Sequence, residues 1–276
     1  MTTTLAAPPG MALPDLRRLW TDAPVFTGLA LLLVLGLIPL YAAMLLDARL
    51  FQGDSPWLKP VKFHYALAIY SISLAFFARY MPAATLRGRP WRWFAVAVVG
   101  AIVGEVAWLS GAAMLNTASH FNTTVPILAA IYPLMGVFAV VLTSASLVMG
   151  LSVWRNRDSD LAPALHLAVA LGLGLTFALT VPVAGTLSGL GSHFVGTSTR
   201  ALWVLGWSRD AGDLRVAHFL ATHALHGLPL AGLVAVRLFP PQALRLVWLA
   251  AALFAGLVAT TFVQALQGRP FLPFLG

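Results

Sequence analysis

Residues 24–46, PVFTGLALLLVLGLIPLYAAMLL, form an apolar run that contains no charged residue. A helix needs about 20 such residues to cross the hydrocarbon core of a bilayer, which is about 30 Å thick. The run also lacks the alternation of polar and apolar residues that is typical of strands in membrane β-barrels. It therefore predicts a transmembrane helix.

Further apolar segments of similar length follow, and 59% of all residues are hydrophobic while 9% are charged. Soluble domains carry about 25% charged residues. The sequence thus predicts an all-α, polytopic membrane helix bundle with seven transmembrane helices. The predicted spans are residues 24–46, 63–82, 92–115, 125–150, 162–185, 215–238 and 242–267. They form one domain, 24–270, between an N-terminal interfacial segment, 1–23, and a C-terminal tail, 271–276.

Charge and cysteine content exclude several classes of function. The net charge is +8, but the basic residues are scattered along short loops and do not form a surface that would bind nucleic acid. The chain has no cysteine, which excludes disulfides, thiolate metal sites and iron–sulfur clusters. The lipid bilayer is the first predicted partner, and a small molecule or metal ion is the second.

The distribution of Lys and Arg predicts the orientation of the chain. Seven spans place the termini on opposite sides, and ten of the 17 basic residues then lie on the side of the N-terminus. Under the positive-inside rule this favours a cytoplasmic N-terminus and an extracytoplasmic C-terminus. The longer polar loops, 47–62, 116–124 and 186–214, all fall on the extracytoplasmic side, where we expect the functional face.

Histidines gather at this same side. Of the seven in the chain, His166 alone belongs to the opposite side. One of the others lies at the start of the second span, one follows the third span and one lies in the loop 186–214. The remaining three lie in the first turns of the sixth span. These six histidines are His64, His120, His193, His218, His223 and His226.

Glu105 is the only glutamate of the chain and lies inside the third span. The helical rise places it about 16 Å from the extracytoplasmic face, at about the depth of His226 in the sixth span. The two side chains would meet if these helices are neighbours. An ionisable group at such depth costs about 2.5 kcal/mol or more unless it is paired, and it commonly marks a functional site.

Other polar side chains at this face are candidates to support a site. Asp213 precedes the sixth span and is predicted to cap it, and Arg215 in the next turn needs an acidic or anionic partner. Lys62 either anchors the chain at headgroups or lines the mouth of the site. Asn122 and Gln264 would offer amides to a ligand.

Three segments carry a resemblance to a known family. Residues 57–63 read WLKPVKF, residues 119–122 read SHFN, and residues 206–218 begin with GWS and end with GDLRVAH. They resemble a family of uncharacterised bacterial multi-span membrane proteins, and the resemblance extends over most of the chain. It implies a place in the bacterial cytoplasmic membrane. In that family the position of His226 is more often glutamine, which shifts the candidate ligands toward His120, His218 and His223.

These observations leave more than one function open. The first hypothesis is a redox or metal-dependent protein that binds haem or a transition metal. Its cofactor-binding histidines would be His64, His120, His218 and His223, and its metal ligands would come from Glu105, His120, His218, His223 and His226. The alternative is a proton-coupled transporter or a solute-binding membrane protein without bound metal. A sensor or assembly factor ranks third because the cytoplasmic loops are short. The sequence identifies no catalytic residue and no oligomeric state.

Overall fold

The computed structural model describes residues 15–122, 125–202 and 205–272. Residues 1–14 of the predicted interfacial segment and 273–276 of the predicted tail lie outside them. Within the described ranges the chain is mainly helical. The helices are α1 Arg17–Asp22, α2 Pro24–Leu46, α3 Leu58–Ala78, α4 Ala83–Arg87, α5 Arg89–Met114, α6 Pro126–Arg155, α7 Pro163–Leu190, α8 Leu214–Thr222, α9 Ala224–Leu238 and α10 Ala243–Leu266, with a 3-10 turn at Pro240–Gln242.

Six helices of the described chain are long and apolar enough to cross a membrane, and a seventh is added if α8 and α9 form one bent span. The multi-span helical architecture expected from the sequence is therefore confirmed. Helix α2 has the predicted bounds, but α3 begins at Leu58 and ends at Ala78, four to five residues before the predicted limits. Proline is accepted in the first turn of a helix, so Pro60 does not delay the start.

The sixth predicted span is broken at His223, where α8 and α9 meet at an angle of 53°. Pro229 lies inside α9 and cannot donate a backbone hydrogen bond to the preceding turn. The neighbouring helix α7 satisfies a backbone group near the break, because the Leu225 N–H donates to Oγ1 of Thr176 at 2.9 Å. The break is thus held by a specific contact between helices.

Helix α7 is the centre of the bundle, since it packs against α6, α8, α9 and α10. Small residues permit this close packing. A Cβ at Gly172 would lie 2.9 Å from both the Ala224 carbonyl oxygen and Cδ of Pro229. On the other side of the bundle, α3 packs against α2 and α5, and α5 packs against α6.

The loop between α7 and α8 folds back at one end of the bundle. Its strands β1, Phe194–Val195, and β2, Gly212–Asp213, pair antiparallel with Phe194 opposite Asp213. A Cβ at Gly212 would overlap the carbonyl oxygen of Ala265, so glycine allows the hairpin to lie directly on α10. We call this end of the bundle, where α3, α6 and α8 begin and α5 and α7 end, the hairpin end.

Candidate functional site

The centre of the candidate site is a contact between the first turn of α3 and the loop after α5. Nζ of Lys59 lies 3.1 Å from Nδ1 of His120, and Oγ of Ser119 lies 3.1 Å from the same nitrogen. An ammonium group can only donate hydrogen bonds, so Nδ1 of His120 is the acceptor. The neutral imidazole then carries its proton on Nε2.

Local hydrogen bonds fix the loop that carries His120. The indole N–H of Trp108 donates to the carbonyl oxygen of Ser119 at 2.7 Å. The amide group of Asn122 donates to Oγ1 of Thr117 and to the carbonyl oxygen of Ala118, each at 2.9 Å. Because these bonds tie the loop to α5 and close it on itself, they hold His120 in a fixed position.

Aromatic rings surround this histidine. Tyr132 and Phe63 lie 5.7 Å and 6.2 Å from His120 between ring centroids, and Phe121 lies 6.1 Å away. Phe121 in turn contacts the ring of His193 at 5.2 Å. The rings therefore form a continuous apolar wall between two imidazoles from separate loops.

The first turn of α8 adds an arginine to this wall. Cζ of Arg215 lies 4.7 Å above the ring of Phe194, a cation–π contact. Its guanidinium also forms an ion pair with Asp213 at 2.6 Å and donates to the carbonyl oxygen of Gly206. Asp213 is buried and accepts the backbone N–H groups of Arg215 and Ser208, at 3.0 Å and 2.9 Å. The predicted N-cap role of Asp213 is confirmed, and Asp213 is the acidic partner that Arg215 requires.

A buried carboxylate lies beneath the cluster. Glu105 is 5% exposed, and it interacts electrostatically with Lys59 and with the hydroxyl of Tyr132. The close ion pairs among the described residues are Arg18–Asp22, Arg49–Asp47 and Arg215–Asp213. Lys59 and Glu105 therefore attract each other across a gap and do not touch. We call Lys59, Glu105, His120, Tyr132, His193 and Arg215 together the polar end site.

The two loop histidines of this site are neutral near pH 7. Burial lowers the pKa of His120 to about 3, and the nearby Lys59 ammonium acts in the same direction. Burial also lowers the pKa of His193 to about 4, with further contributions from Lys59 and Arg215. The positive charge of the site near pH 7 is therefore that of Lys59 and Arg215.

The structure does not assemble the expected metal centre. Within the described residues, no group of three or more His, Asp or Glu side chains could hold a metal ion. The proposed ligands Glu105, His120, His218, His223 and His226 lack a common centre. At His120 the physical reason is clear, because the Lys59 ammonium occupies Nδ1 and would repel a cation there.

The remaining predicted histidines have other contacts. Nδ1 of His64 donates to the carbonyl oxygen of Pro60 at 2.9 Å, and its imidazole packs against Gly36 of α2. His218 is half-buried in α8, close enough to His193 to affect it electrostatically. His226 contacts Oγ of Ser73 at 2.9 Å, whereas the expected meeting was with Glu105.

The predicted supporting amides and Lys62 have structural or peripheral positions. Asn122 orders its own loop, accepting the backbone N–H of Val125 at 3.1 Å in addition to its donor contacts. The amide of Gln264 donates to the carbonyl oxygen of Pro270 at 2.7 Å and so fixes the chain after α10. Lys62 is exposed on α3.

The sequence did not predict that Lys59 lies at the centre of the candidate site, and it left His193 and Tyr132 out of that site. The predicted second span began at residue 63. Lys59 was therefore placed in a loop, where helical periodicity does not predict the direction of its side chain. With α3 beginning at Leu58, Lys59 and Lys62 lie in successive turns, and only Lys59 lies against the His120 loop. The adjacent Pro60, typical of a first turn, was the signal that could have extended the helix.

Comparison of the chain with protein-family models, with curated proteins and with solved structures found no match.

Proposed function

We propose that this chain is a multi-pass integral membrane protein that binds an anionic or otherwise hydrogen-bond-accepting small molecule at the polar end site. The proposal includes seven spans, with α8 and α9 as one bent span, in the bacterial cytoplasmic membrane. The N-terminus is cytoplasmic in this proposal, because ten of the 17 basic residues lie on its side. The polar end site then opens to the extracytoplasmic face.

The observation that carries the proposal is the state of Lys59. Its half-buried ammonium is bonded to the neutral imidazole of His120, which aromatic rings surround, and among the described residues no carboxylate forms a close ion pair with it. A charge in such surroundings is stabilised by an opposite charge in contact. A ligand carboxylate or phosphate would supply that contact.

The other donors of the site favour the same class of ligand. The Nε2–H of His120, the hydroxyl of Tyr132 and the guanidinium of Arg215 are all hydrogen-bond donors. Glu105 is the acceptor beneath them, and it offers a place for an ammonium group or a proton of the ligand. Metal-dependent chemistry is not carried forward, because no three or more His, Asp or Glu side chains of the described residues form a group that could hold a metal ion.

A thermal-shift experiment with the detergent-purified full chain tests this function. The probes are a panel of small carboxylates and organic phosphates, each paired with its neutral ester. We expect at least one anion to raise the melting temperature while its ester does not, because binding to the folded state alone stabilises it by mass action.

The matched variants are Lys59→Gln and Lys62→Gln, which remove the same charge from successive turns of α3. We expect Lys59→Gln to lose the anion-dependent shift and Lys62→Gln to retain it, since Lys62 is exposed. Equal responses in the two variants, or no shift with any anion in the wild-type chain, would show that the polar end site is not an anion site.

A further inference from the structure

A second polar cluster lies away from the hairpin end, at the break between α8 and α9. His223 is exposed there, ten residues after the cap residue Asp213. The helical rise places it about 15 Å into the bundle. In a segment that crosses a membrane, an exposed side chain at this depth faces hydrocarbon. An imidazole in that position is costly and needs a polar partner.

The hydrogen bonds of His223 determine which of its nitrogens is an acceptor. Nδ1 lies 2.7 Å from the carbonyl oxygen of Phe219, which can only accept, so Nδ1 carries the proton. The ring packs on that of Phe219, with centroids 4.1 Å apart. In the neutral tautomer that carries its proton on Nδ1, Nε2 keeps a lone pair.

The same reasoning determines the state of His226. Oγ of Ser73 donates its single proton to the carbonyl oxygen of Ile69 at 2.7 Å. Ser73 must therefore accept from Nε2–H of His226, which lies 2.9 Å away. Nδ1 of His226 is then the unprotonated nitrogen of a neutral ring.

The two imidazoles are neighbours, with ring centroids 5.6 Å apart. The hydrogen bonds among the described residues place no donor on Nε2 of His223 or on Nδ1 of His226. Two acceptor nitrogens thus lie side by side in apolar surroundings. The neighbouring side chains of Ile69, Phe219 and Leu230 are exposed and apolar.

We propose that His223 and His226 form a site for a lipid-soluble phenol or hydroquinone that enters from the bilayer. Its hydroxyl donates to an imidazole lone pair, and its apolar body covers the exposed side chains around Phe219. A phenolic O–H is a stronger donor than the O–H of an alcohol, and hydrocarbon leaves water unavailable as a competitor. This site shares no residue with the polar end site and rests only on the proposed crossing of the membrane by α8 and α9, so either ligand proposal can fail without the other.

The test uses the full chain in lipid nanodiscs, labelled with ¹⁵N in its histidine rings. The probes are 4-nonylphenol and 4-nonylanisole, which share an apolar tail and differ in the hydroxyl. We expect the phenol to shift the resonances of Nε2 of His223 and Nδ1 of His226 saturably, and the ether to leave them unmoved. The rings of His64 and His166 serve as internal references.

Two variants at one position separate hydrogen bonding from packing. Glutamine offers an amide donor to Ser73 and an oxygen acceptor to the ligand, so His226→Gln should retain binding. His226→Leu should weaken it roughly three- to tenfold, the value of one hydrogen bond. His223→Phe should weaken phenol binding by a similar factor. If His223→Phe does not fold, the comparison of His226→Gln with His226→Leu still tests the proposal.

Several outcomes would overturn the proposal. Equal shifts with phenol and ether would show that the surface recognises only the apolar tail. Shifts with Cu²⁺ alone and none with phenol would assign the pair to a metal. A dimer that becomes monomeric in His223→Phe, with no response to phenol, would assign the surface to a second copy of the chain.

Discussion

The ammonium of Lys59 lies 3.1 Å from Nδ1 of His120, and this contact makes protonation of the imidazole unfavourable. A proton on Nδ1 would face the ammonium directly, at a distance where like charges repel strongly. Burial and Lys59 together lower the pKa of His120 from 6.5 to about 3. The folded protein therefore holds this histidine neutral in a pH range where the unfolded chain protonates it.

The first prediction is that acid destabilises the protein through His120. Below pH 6.5 His120 binds a proton in the unfolded chain, whereas in the folded chain it stays neutral until about pH 3. The stability that the neutral His120 contributes is therefore complete above pH 6.5 and is lost as the pH falls toward 3. His120→Asn keeps an acceptor for Lys59 but cannot titrate, so its melting temperature should fall less between pH 7.5 and pH 4.5.

The control for this prediction is His166→Asn, which removes a histidine from the first turn of α7, far from the hairpin end. If acid lowers its melting temperature as little as that of His120→Asn, the effect does not depend on the contact with Lys59. If His120→Asn and the wild-type chain lose the same number of degrees on acidification, His120 is not the group that limits acid stability.

The second prediction concerns the ion pair that joins the hairpin to α8. Asp213 is 2% exposed and bonds the Arg215 guanidinium as well as two backbone amides. Asp213→Asn preserves the shape of the side chain but leaves Arg215 without its carboxylate. Loss of one partner of a buried pair costs about 3 kcal/mol, and we expect the free energy of unfolding in detergent to fall by this order.

Asp47→Asn is the comparison variant, because Asp47 pairs with Arg49, whose side chain is 48% exposed. Exposed ion pairs contribute little to stability, so this change should have the smaller effect. An equal effect of the two substitutions would show that burial at Asp213 does not increase the importance of its ion pair.

The third prediction tests the packing that holds the break between α8 and α9. A Cβ at Gly172 would lie 2.9 Å from the Ala224 carbonyl oxygen and from Cδ of Pro229, and neither atom can move freely. Gly172→Ala should destabilise the protein by about 1–3 kcal/mol through overpacking. Gly174, two residues along α7, has open space around its missing Cβ.

Gly174→Ala should therefore be neutral or slightly stabilising, since alanine favours a helix over glycine by about 1 kcal/mol. Unfolding in detergent, followed by circular dichroism, measures both variants. Equal destabilisation of the two would mean that helix α7 does not approach the break as closely as described.

Much of the fold was predictable from the sequence because its cause is local composition. Residues 24–46 give a membrane-length helix by apolarity alone, and the observed helix Pro24–Leu46 has the same bounds. The break at His223 was not predictable in this way. It depends on Thr176 and Gly172 of another helix, and contacts between distant segments leave no periodic pattern in one sequence.

The candidate site was predictable in location but not in composition. Histidines at equivalent ends of several spans indicated one face, and His120 and His193 do converge there. Distance along a helix gives depth but not the neighbouring helix. Glu105 and His226 have similar calculated depths, yet Glu105 interacts with Lys59 and His226 contacts Ser73.

The fourth prediction tests whether α8 and α9 cross the membrane as one bent span. The chain has no cysteine, so single cysteines can be introduced without a background. Residues 158, 197 and 242 are exposed in the loops after α6, α7 and α9. A crossing span places residue 242 on the same side as residue 158, whereas a re-entrant pair returns it to the side of residue 197.

Membrane-impermeant maleimide applied to intact cells or spheroplasts distinguishes these topologies. We expect Thr197→Cys to react from outside, and Asp158→Cys and Gln242→Cys to react only after the membrane is permeabilised. Labelling of Gln242→Cys together with Thr197→Cys would identify α8 and α9 as a re-entrant pair and reduce the number of spans to six. Labelling of Asp158→Cys from outside would instead reverse the proposed orientation, and with it the side to which the polar end site opens.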